Sequence, residues 1–348
     1  MLLRDSIHDG REPRCRPCAW RISFEPGPHD TNVFGSLRSL AEDTAIHGYY
    51  GGVRLLRALC YKFHGYCADR GVTLHERGFN LAYHTNIPKQ TGLSGSSGII
   101  VAGLRCLMQH YGVEVPLEEQ PSLVLSCEAD LGIIAGLQDR VIQCYEGVVY
   151  MDFSDEQQMR ELGRGTYTRL PEACMPQLHL VYAENPSDSG KVHSTVKARW
   201  ESGDAFIRGK MEQVAAVAEK GRAALLPGIP LAEIATAPAV EAAVGATGAD
   251  VRAEEIARLM NLNFDLRREM FGDDALGAVN VDMVLTPRSV GGGVAAKFTG
   301  SGGAVVVFCP NGDAQAREVK AACEAKGYTM CPVIVNSAPK AQQAPTAA

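Results

Sequence analysis

Residues 126–140, SCEADLGIIAGLQDR, set two carboxylates, Glu128 and Asp139, eleven positions apart (139 − 128), with Gly132 and Gly136 between them. The pattern puts Glu128 on one helix and Asp139 at the start of another, joined by a glycine turn. Phosphoryl transfer asks for an oxygen ligand for Mg²⁺ and a carboxylate beside the attacking hydroxyl, and two acids on adjoining elements can supply both. A solvated helix-face Glu and an N-capping Asp are the commoner fates of such residues.

A second stretch, PKQTGLSGSSGII at 88–100, gathers Gly92, Ser94, Gly95, Ser96, Ser97 and Gly98 just ahead of an apolar segment. Glycines allow backbone to approach a ligand closely, and the free N–H groups at a helix start carry roughly half a positive charge. The plainer reading is a flexible connection capped by Ser96 or Ser97. A third stretch, Lys297–Gly303, repeats the glycine theme ahead of a strand and reads equally as a hairpin turn. Neither loop is followed by the lysine of a GxxxxGK[ST] phosphate cradle. The near miss NPSDSGKV lacks the leading Gly and has Val192 where a hydroxyl should stand, which argues against a P-loop nucleoside triphosphatase.

The chain that must position these residues has 348 of them, 46% hydrophobic and 21% charged, enough for about two domains with real cores. A net charge of −6 without a basic stripe argues against nucleic acid or a membrane surface as partner. Eleven cysteines are scattered. Cys106, Cys127, Cys309 and Cys323 sit in apolar patterns, and Cys15 and Cys18 make a single CxxC with no second pair at zinc spacing. A reducing, cytoplasmic setting is the expectation. No apolar run reaches membrane-spanning length, and the N-terminus does not read as a signal peptide.

Alternation in FNLAYHT, 79–85, predicts a strand leading into the first glycine loop. Ile100, Leu104, Leu107, Met108 and Tyr111 then recur with helical spacing up to Gly112. Further helices are expected at 117–131, in GLQDRVIQCY, at 201–225, 253–271 and 313–326. Strands are expected in GVVYMDF, LHLVYAE and 329–336. Residues 227–252, rich in Ala, Pro and Gly, read as a surface insertion with no core of its own. Domains are expected at 1–168 and 169–336, with a disordered tail at 337–348.

PKQTGLSGSSG resembles the second motif of the GHMP small-molecule kinases, and KFTGSGGAVVVF resembles their third. HGYYGGVRLL, TNIPKQTGLSGSSG, AGLQDRV, YAENPSDSGKVHS, LMNLNFDLRREMFGD and AAKFTGSGGAVVVF together resemble the plant glucuronokinase branch, from about residue 19 to 335. The resemblance implies a two-domain α+β fold, with an N-terminal ribosomal-S5-like domain and a C-terminal ferredoxin-like α/β sandwich. It also implies ATP-dependent phosphorylation of D-glucuronate to its 1-phosphate, feeding UDP-glucuronate synthesis, with Mg²⁺ as cofactor and no obligate protein partner.

By the same resemblance, Gly92, Leu93, Ser94, Gly95, Ser96 and Ser97 would wrap the ATP phosphates, and Gly300, Gly302 and Gly303 would close over them. Ser97 and Glu128 would ligate Mg²⁺, and Asp139 would orient or deprotonate the sugar hydroxyl. A glucuronate carboxylate calls for a fixed cation, with Arg140, Lys191 and Arg267 as candidates. His193 and Ser194 could line the sugar site, and Asn261 and Asp265 could share a polar helix side. The family's first strand and first motif find no counterpart in residues 1–30. Two other readings stay open: a kinase of another sugar or sugar acid such as galacturonate or galactose, and a non-catalytic binding protein.

Overall fold

A computed structural model describes residues 22–24, 33–49, 53–88, 91–133, 135–183, 196, 198–234, 249–300 and 302–335. The chain divides into two compact units. One comprises Met1–Ile87, Ser94–Cys144 and Phe153–Gly165; the other comprises Pro88–Leu93, Tyr145–Asp152 and Thr166–Ala348. The segment carrying Gly92 belongs by its contacts to the second unit.

In the first unit, β1 (Ile22–Phe24) pairs antiparallel with β2 (Val33–Phe34) and parallel with β3 (Asn80–Leu81). The strand expected over 79–85 is thus reduced to two residues: of its alternating face Leu81 is buried, whereas Tyr83 beyond it is exposed. Three helices make the core: α1 (Leu37–His47), α2 (Arg54–Asp69) and α3 (Gly95–Tyr111). Ser36 starts α1 with a reciprocal cap, Ser36 Oγ accepting from Ser39 N at 3.0 Å and Ser39 Oγ accepting from Ser36 N at 2.9 Å.

Helix α3 buries Ile100, Leu104 and Leu107 and stops at Gly112, whose φ of 64° is the left-handed conformation glycine tolerates. At Gly103 the α2 and α3 surfaces meet so closely that an added Cβ would lie 2.6 Å from Leu59 Cδ2. That close approach fixes α3, and hence its N-terminal serines, against α2. Two shorter helices follow: α4 (Gln120–Asp130), with Pro121 in its first turn, and α5 (Leu137–Tyr145). The last helix of this unit is α6 (Glu156–Leu162), capped by Asp155 accepting from Gln158 N at 2.9 Å.

In the second unit, β4 (Val148–Asp152) and β5 (Thr166–Leu170) form an antiparallel ribbon. Strands β6 (Leu178–Tyr182), β7 (Ala295–Phe298), β8 (Ala304–Phe308) and β9 (Thr329–Pro332) make an antiparallel sheet ordered β7-β8-β6-β9. Three long helices of this unit precede β7: α7 (Ala205–Leu225), α9 (Ala249–Phe271) and α11 (Ala278–Ser289). Helix α12 (Asp313–Glu324) joins β8 to β9, and α8 (Leu231–Ile234) and α10 (Asp273–Leu276) are short helices of the same unit.

The strand period of two sorts the sheet into faces. Ala295, Phe308 and Leu178 form one row, packed under Ala257 and Met260 of α9. Ala296, Phe298, Val305, Val307 and Val181 face the other way, against Val281 and Val284 of α11 and Val319 of α12.

The 227–252 region departs from its expectation. Leu226 and Ile234 are buried with Leu170 and Cys174, and Ile229 and Leu231 pack beside them. Those four apolar residues dock the first part of the segment on β5, although its overall composition reads as a loop. Residues 235–248 and the 337–348 tail lie outside the described residues. Cys106, Cys127, Cys309 and Cys323 are buried free thiols, as their apolar settings implied. Cys15 and Cys18 lie outside the described residues. Among those described, no helix is long and apolar enough to cross a membrane.

Candidate active site

The first unit brings Glu128 and Asp139 to one guanidinium. Glu128 stands near the end of α4 and is fully buried, and Arg140, in the first turn of α5, is 4% exposed. Arg140 Nε donates to Glu128 Oε2. Its Nη1 donates to Gly136 O at 3.1 Å and to Asp139 Oδ2 at 3.3 Å. The glycine-containing turn between the helices is what lets one side chain reach all three.

The head of α3 comes to the same carboxylate. Ser96 Oγ donates to Glu128 Oε1 at 2.6 Å, and Ser97 Oγ donates to that oxygen at 3.2 Å. Ser97 is fully buried. Ser94, the residue before α3, has φ 56°, a left-handed conformation uncommon for anything but glycine, and no side chain caps the helix. The first-turn N–H groups are therefore left for an external acceptor, with the helix dipole behind them. This is an anion-binding geometry in its own right.

In the second unit the two glycine loops touch. Gly92 (φ 67°) approaches Gly302 so closely that a Cβ on it would lie 2.1 Å from Gly302 O. A Cβ on Gly303 (φ 84°) would lie 2.7 Å from the Thr91 carbonyl carbon. Both positions need positive φ and bare backbone together, so only glycine serves. The loop with Gly300, Gly302 and Gly303 is indeed the β7–β8 hairpin, closed by Thr299 N donating to Ala304 O at 3.1 Å.

Two residues that sequence reasoning passed over hold this junction. Buried Asn280, on α11, accepts from Gly303 N at 3.1 Å through Oδ1 and donates to Leu276 O at 2.8 Å. Buried Thr91 donates to Pro88 O at 2.9 Å, shaping the first loop. A polar residue between Val279 and Val281 was the only available sign of Asn280.

The remaining expected residues separate. Asp265 is exposed and accepts from Arg288 Nη1 at 2.8 Å. Asn261 brackets β7 instead, its Oδ1 accepting from Ala296 N at 3.1 Å. Arg267 lies along α9, its guanidinium 5.7 Å from the Phe271 ring centre. Lys191, His193 and Ser194 lie outside the described residues, as does Ser301 of the third glycine stretch.

Mg²⁺ prefers oxygen donors and keeps several waters, being held by one or two carboxylates plus substrate phosphates. One buried carboxylate, Glu128, beside the Ser97 hydroxyl matches that demand in donor type. Among the described residues no cluster of three or more His, Cys, Asp or Glu forms a self-sufficient metal cage. The fit is therefore to a metal arriving with a phosphate-bearing ligand.

Residues 53–147 match the family model described as GHMP kinases N terminal domain, a span holding α3, Glu128 and Asp139. The chain is 49% identical to glucuronokinase 1 of Arabidopsis thaliana over 315 residues, which is 90% of this chain and 80% of that protein. Among solved structures, a D-glycero-D-manno-heptose 1-phosphate kinase from Bacteroides thetaiotaomicron is similar with a TM-score of 0.56 at 15% identity, covering 90% of this chain and 80% of its own. A mevalonate kinase is similar with a TM-score of 0.55 at 13% identity, covering 90% of this chain and 84% of its own. The two-domain α+β architecture is that of these kinases, and with half its residues identical across nine-tenths of its length to a plant glucuronokinase, the chain belongs to the glucuronokinase branch of the GHMP kinases.

Proposed function

We propose that the protein transfers the γ-phosphoryl group of ATP to the anomeric hydroxyl of D-glucuronate. The observation that carries this reading is the junction in which Ser97, Glu128, Arg140 and Asp139 meet at the uncapped head of α3. It combines anion-binding N–H groups, an oxygen-donor pair suited to Mg²⁺, and a second carboxylate that keeps one side open to solvent, Asp139 being 38% exposed.

Each group then has a task. The N–H groups of Gly95, Ser96 and Ser97 take phosphate oxygens, where positioning and charge neutralisation supply most of the catalysis. Ser97 and Glu128 would hold Mg²⁺, which when bound offsets the charge on the phosphates. Asp139 orients the acceptor hydroxyl and takes its proton. Arg140 holds Glu128 and Asp139 in place, and with its hydrogen bonds already assigned it is the positioning residue rather than the cation for a substrate carboxylate. Gly92, Leu93, Gly300, Gly302 and Gly303 are proposed as further nucleotide contacts through bare peptide edges.

The test is a panel of acceptors under one set of conditions: D-glucuronate, D-galacturonate, D-galactose and D-glucose, with ADP release followed for each. The proposal expects kcat/KM for D-glucuronate to exceed that for either neutral sugar by at least about a hundredfold, a floor below the roughly 10⁴–10⁵ by which a site built for a polar group rejects a ligand lacking it. Preference for galacturonate would move the substrate within the sugar acids, and equal rates with galactose would overturn the sugar-acid assignment.

A further inference from the structure

Cations on and around α9 are mostly matched with acids. Arg258 pairs with Glu255, Arg268 with Asp273, Arg288 with Asp265, and Lys210 with Glu269. Arg267, on the same helix, and Lys297, on β7, have no acidic partner among the described residues. Among the described residues Arg267 makes no ion pair and no hydrogen bond, and Lys297 Nζ donates to a single protein acceptor, Phe298 O, at 2.8 Å.

Their positions make this costly for the apo protein. Phe264, Arg267 and Phe271 follow one another at i, i+3 and i+7, which puts Arg267 on the same side of α9 as the two rings, its guanidinium against Phe271. Phe264 meets Phe298 edge-on at 5.2 Å, which sets this stretch of α9 against the end of β7. Lys297 alternates with Ala296 and Phe298 and so shares the sheet face of Ala295, the face that α9 covers. Both side chains are partly buried, and burial lowers the pKa of each. Burial and the neighbouring Arg267 charge together hold the Lys297 ammonium down to about 8. Two like charges brought together, half desolvated and without a counter-ion, are what a protein keeps when a ligand brings the missing charge.

We propose that Arg267 and Lys297 form an oxyanion site, and that its ligand is the carboxylate of the sugar-acid substrate. The choice of ligand rests on the kinase reading above; the existence of the site does not. Arginine supplies a planar fork matched to a carboxylate, and lysine a single strong point charge beside it. Of the two reactants the nucleotide also carries oxyanions, so the experiment is arranged to tell them apart.

The variants are Arg267→Gln and Lys297→Met, singly and together, with Arg267→Lys as the conservative change. Steady-state kinetics should show KM for D-glucuronate raised at least tenfold in each single variant, with KM for ATP within twofold of the parent. D-Glucose, which has a hydroxymethyl group in place of the carboxylate, should be used equally poorly by all. Because neither cation has an acidic partner, the variants should melt at or above the parent temperature, whereas residues with only a structural role would lower it. A raised KM for ATP with KM for glucuronate unchanged would keep the oxyanion site and overturn the carboxylate assignment. Unchanged constants for both substrates would overturn the site.

A second arm stands apart from activity. Inorganic sulfate, compared with chloride at equal ionic strength, should raise the melting temperature of the parent more than that of Arg267→Gln/Lys297→Met. If the parent fails to phosphorylate glucuronate while this difference persists, the kinase reading fails and the anion site survives. If the difference is absent, the site itself is refuted.

Discussion

Glu128 and Asp139 share one arginine: Arg140 Nε donates to Glu128, and Nη1 of the same guanidinium lies 3.3 Å from Asp139 Oδ2. The acid assigned to the metal and the acid assigned to the acceptor are thereby fixed relative to each other by a side chain that is itself buried. Removing it leaves Glu128 as an unmatched buried charge. Arg140→Met should cost about 3–5 kcal/mol of stability, the usual penalty for halving a buried pair. Arg140→Lys, which keeps the charge and loses the fork, should cost less. Urea unfolding of the three proteins checks the order.

Metal dependence should separate the two acids. Ser97→Ala removes a hydroxyl from the proposed oxygen-donor pair without disturbing the Arg140 contacts. The Mg²⁺ concentration giving half-maximal rate is expected to rise at least tenfold, while the unfolding midpoint in the absence of ligands moves little. A titration of rate against Mg²⁺ at fixed ATP would reveal an unchanged midpoint if the hydroxyl has no part in holding metal.

The junction of the glycine loops permits a strict steric test. A methyl group at Gly303 would meet the Thr91 main chain at 2.7 Å, with φ of 84° adding backbone strain. Gly303→Ala should therefore destabilise the second unit by more than the roughly 1–3 kcal/mol of an ordinary overpacked site. Asn280→Leu, which deletes the acceptor for Gly303 N, should lower the affinity for ATP through the same loop. Thermal melts and nucleotide titrations of both variants give the comparison.

Acid stability follows from histidine. Burial holds the pKa of His179, on β6, below the usual value, although Asp313 pulls it partly back. Its Nδ1 is buried without a hydrogen-bond partner among the described residues. The unfolded chain accepts a proton near pH 6.5 that the folded chain refuses, so the unfolded state binds more protons as pH falls. This contribution to stability is complete above about 6.5 and lost progressively below it. His64 and His110 shift in the same direction, so His179→Leu should flatten the loss of stability between pH 7 and pH 5 without abolishing it. Unfolding free energies at four pH values suffice, and a parallel curve would show that His179 is not among the groups responsible.

Local patterns in the sequence were enough for α3, from the periodic Ile100–Leu104–Leu107 stripe to its Gly112 stop, and for the pairing of Glu128 with Asp139 across a glycine turn. These features are set by neighbours a few residues apart. The glycine stretches identified themselves as loops for the same reason. Their mutual contact did not, because Gly92 and Gly302 meet through tertiary packing that leaves no periodic mark. Arg140 shows the limit most clearly. Its charge and position beside a motif suggested a ligand for substrate, whereas its geometry makes it the partner of two protein carboxylates, one of them on a different helix. The 227–234 segment misled by composition, Ile229, Leu231 and Ile234 outweighing its Pro and Gly content.

The central claim is tested most directly by ³¹P NMR of ATP and D-glucuronate incubated with Mg²⁺ and the 348-residue chain, beside Asp139→Asn. The parent should yield ADP and a sugar phosphate whose phosphorus couples to the anomeric proton. In the variant the product should form at least about a hundredfold more slowly, the usual weight of a general base, while ATP affinity stays within twofold. An undiminished rate in Asp139→Asn, or a phosphate on any other sugar oxygen, would contradict the account.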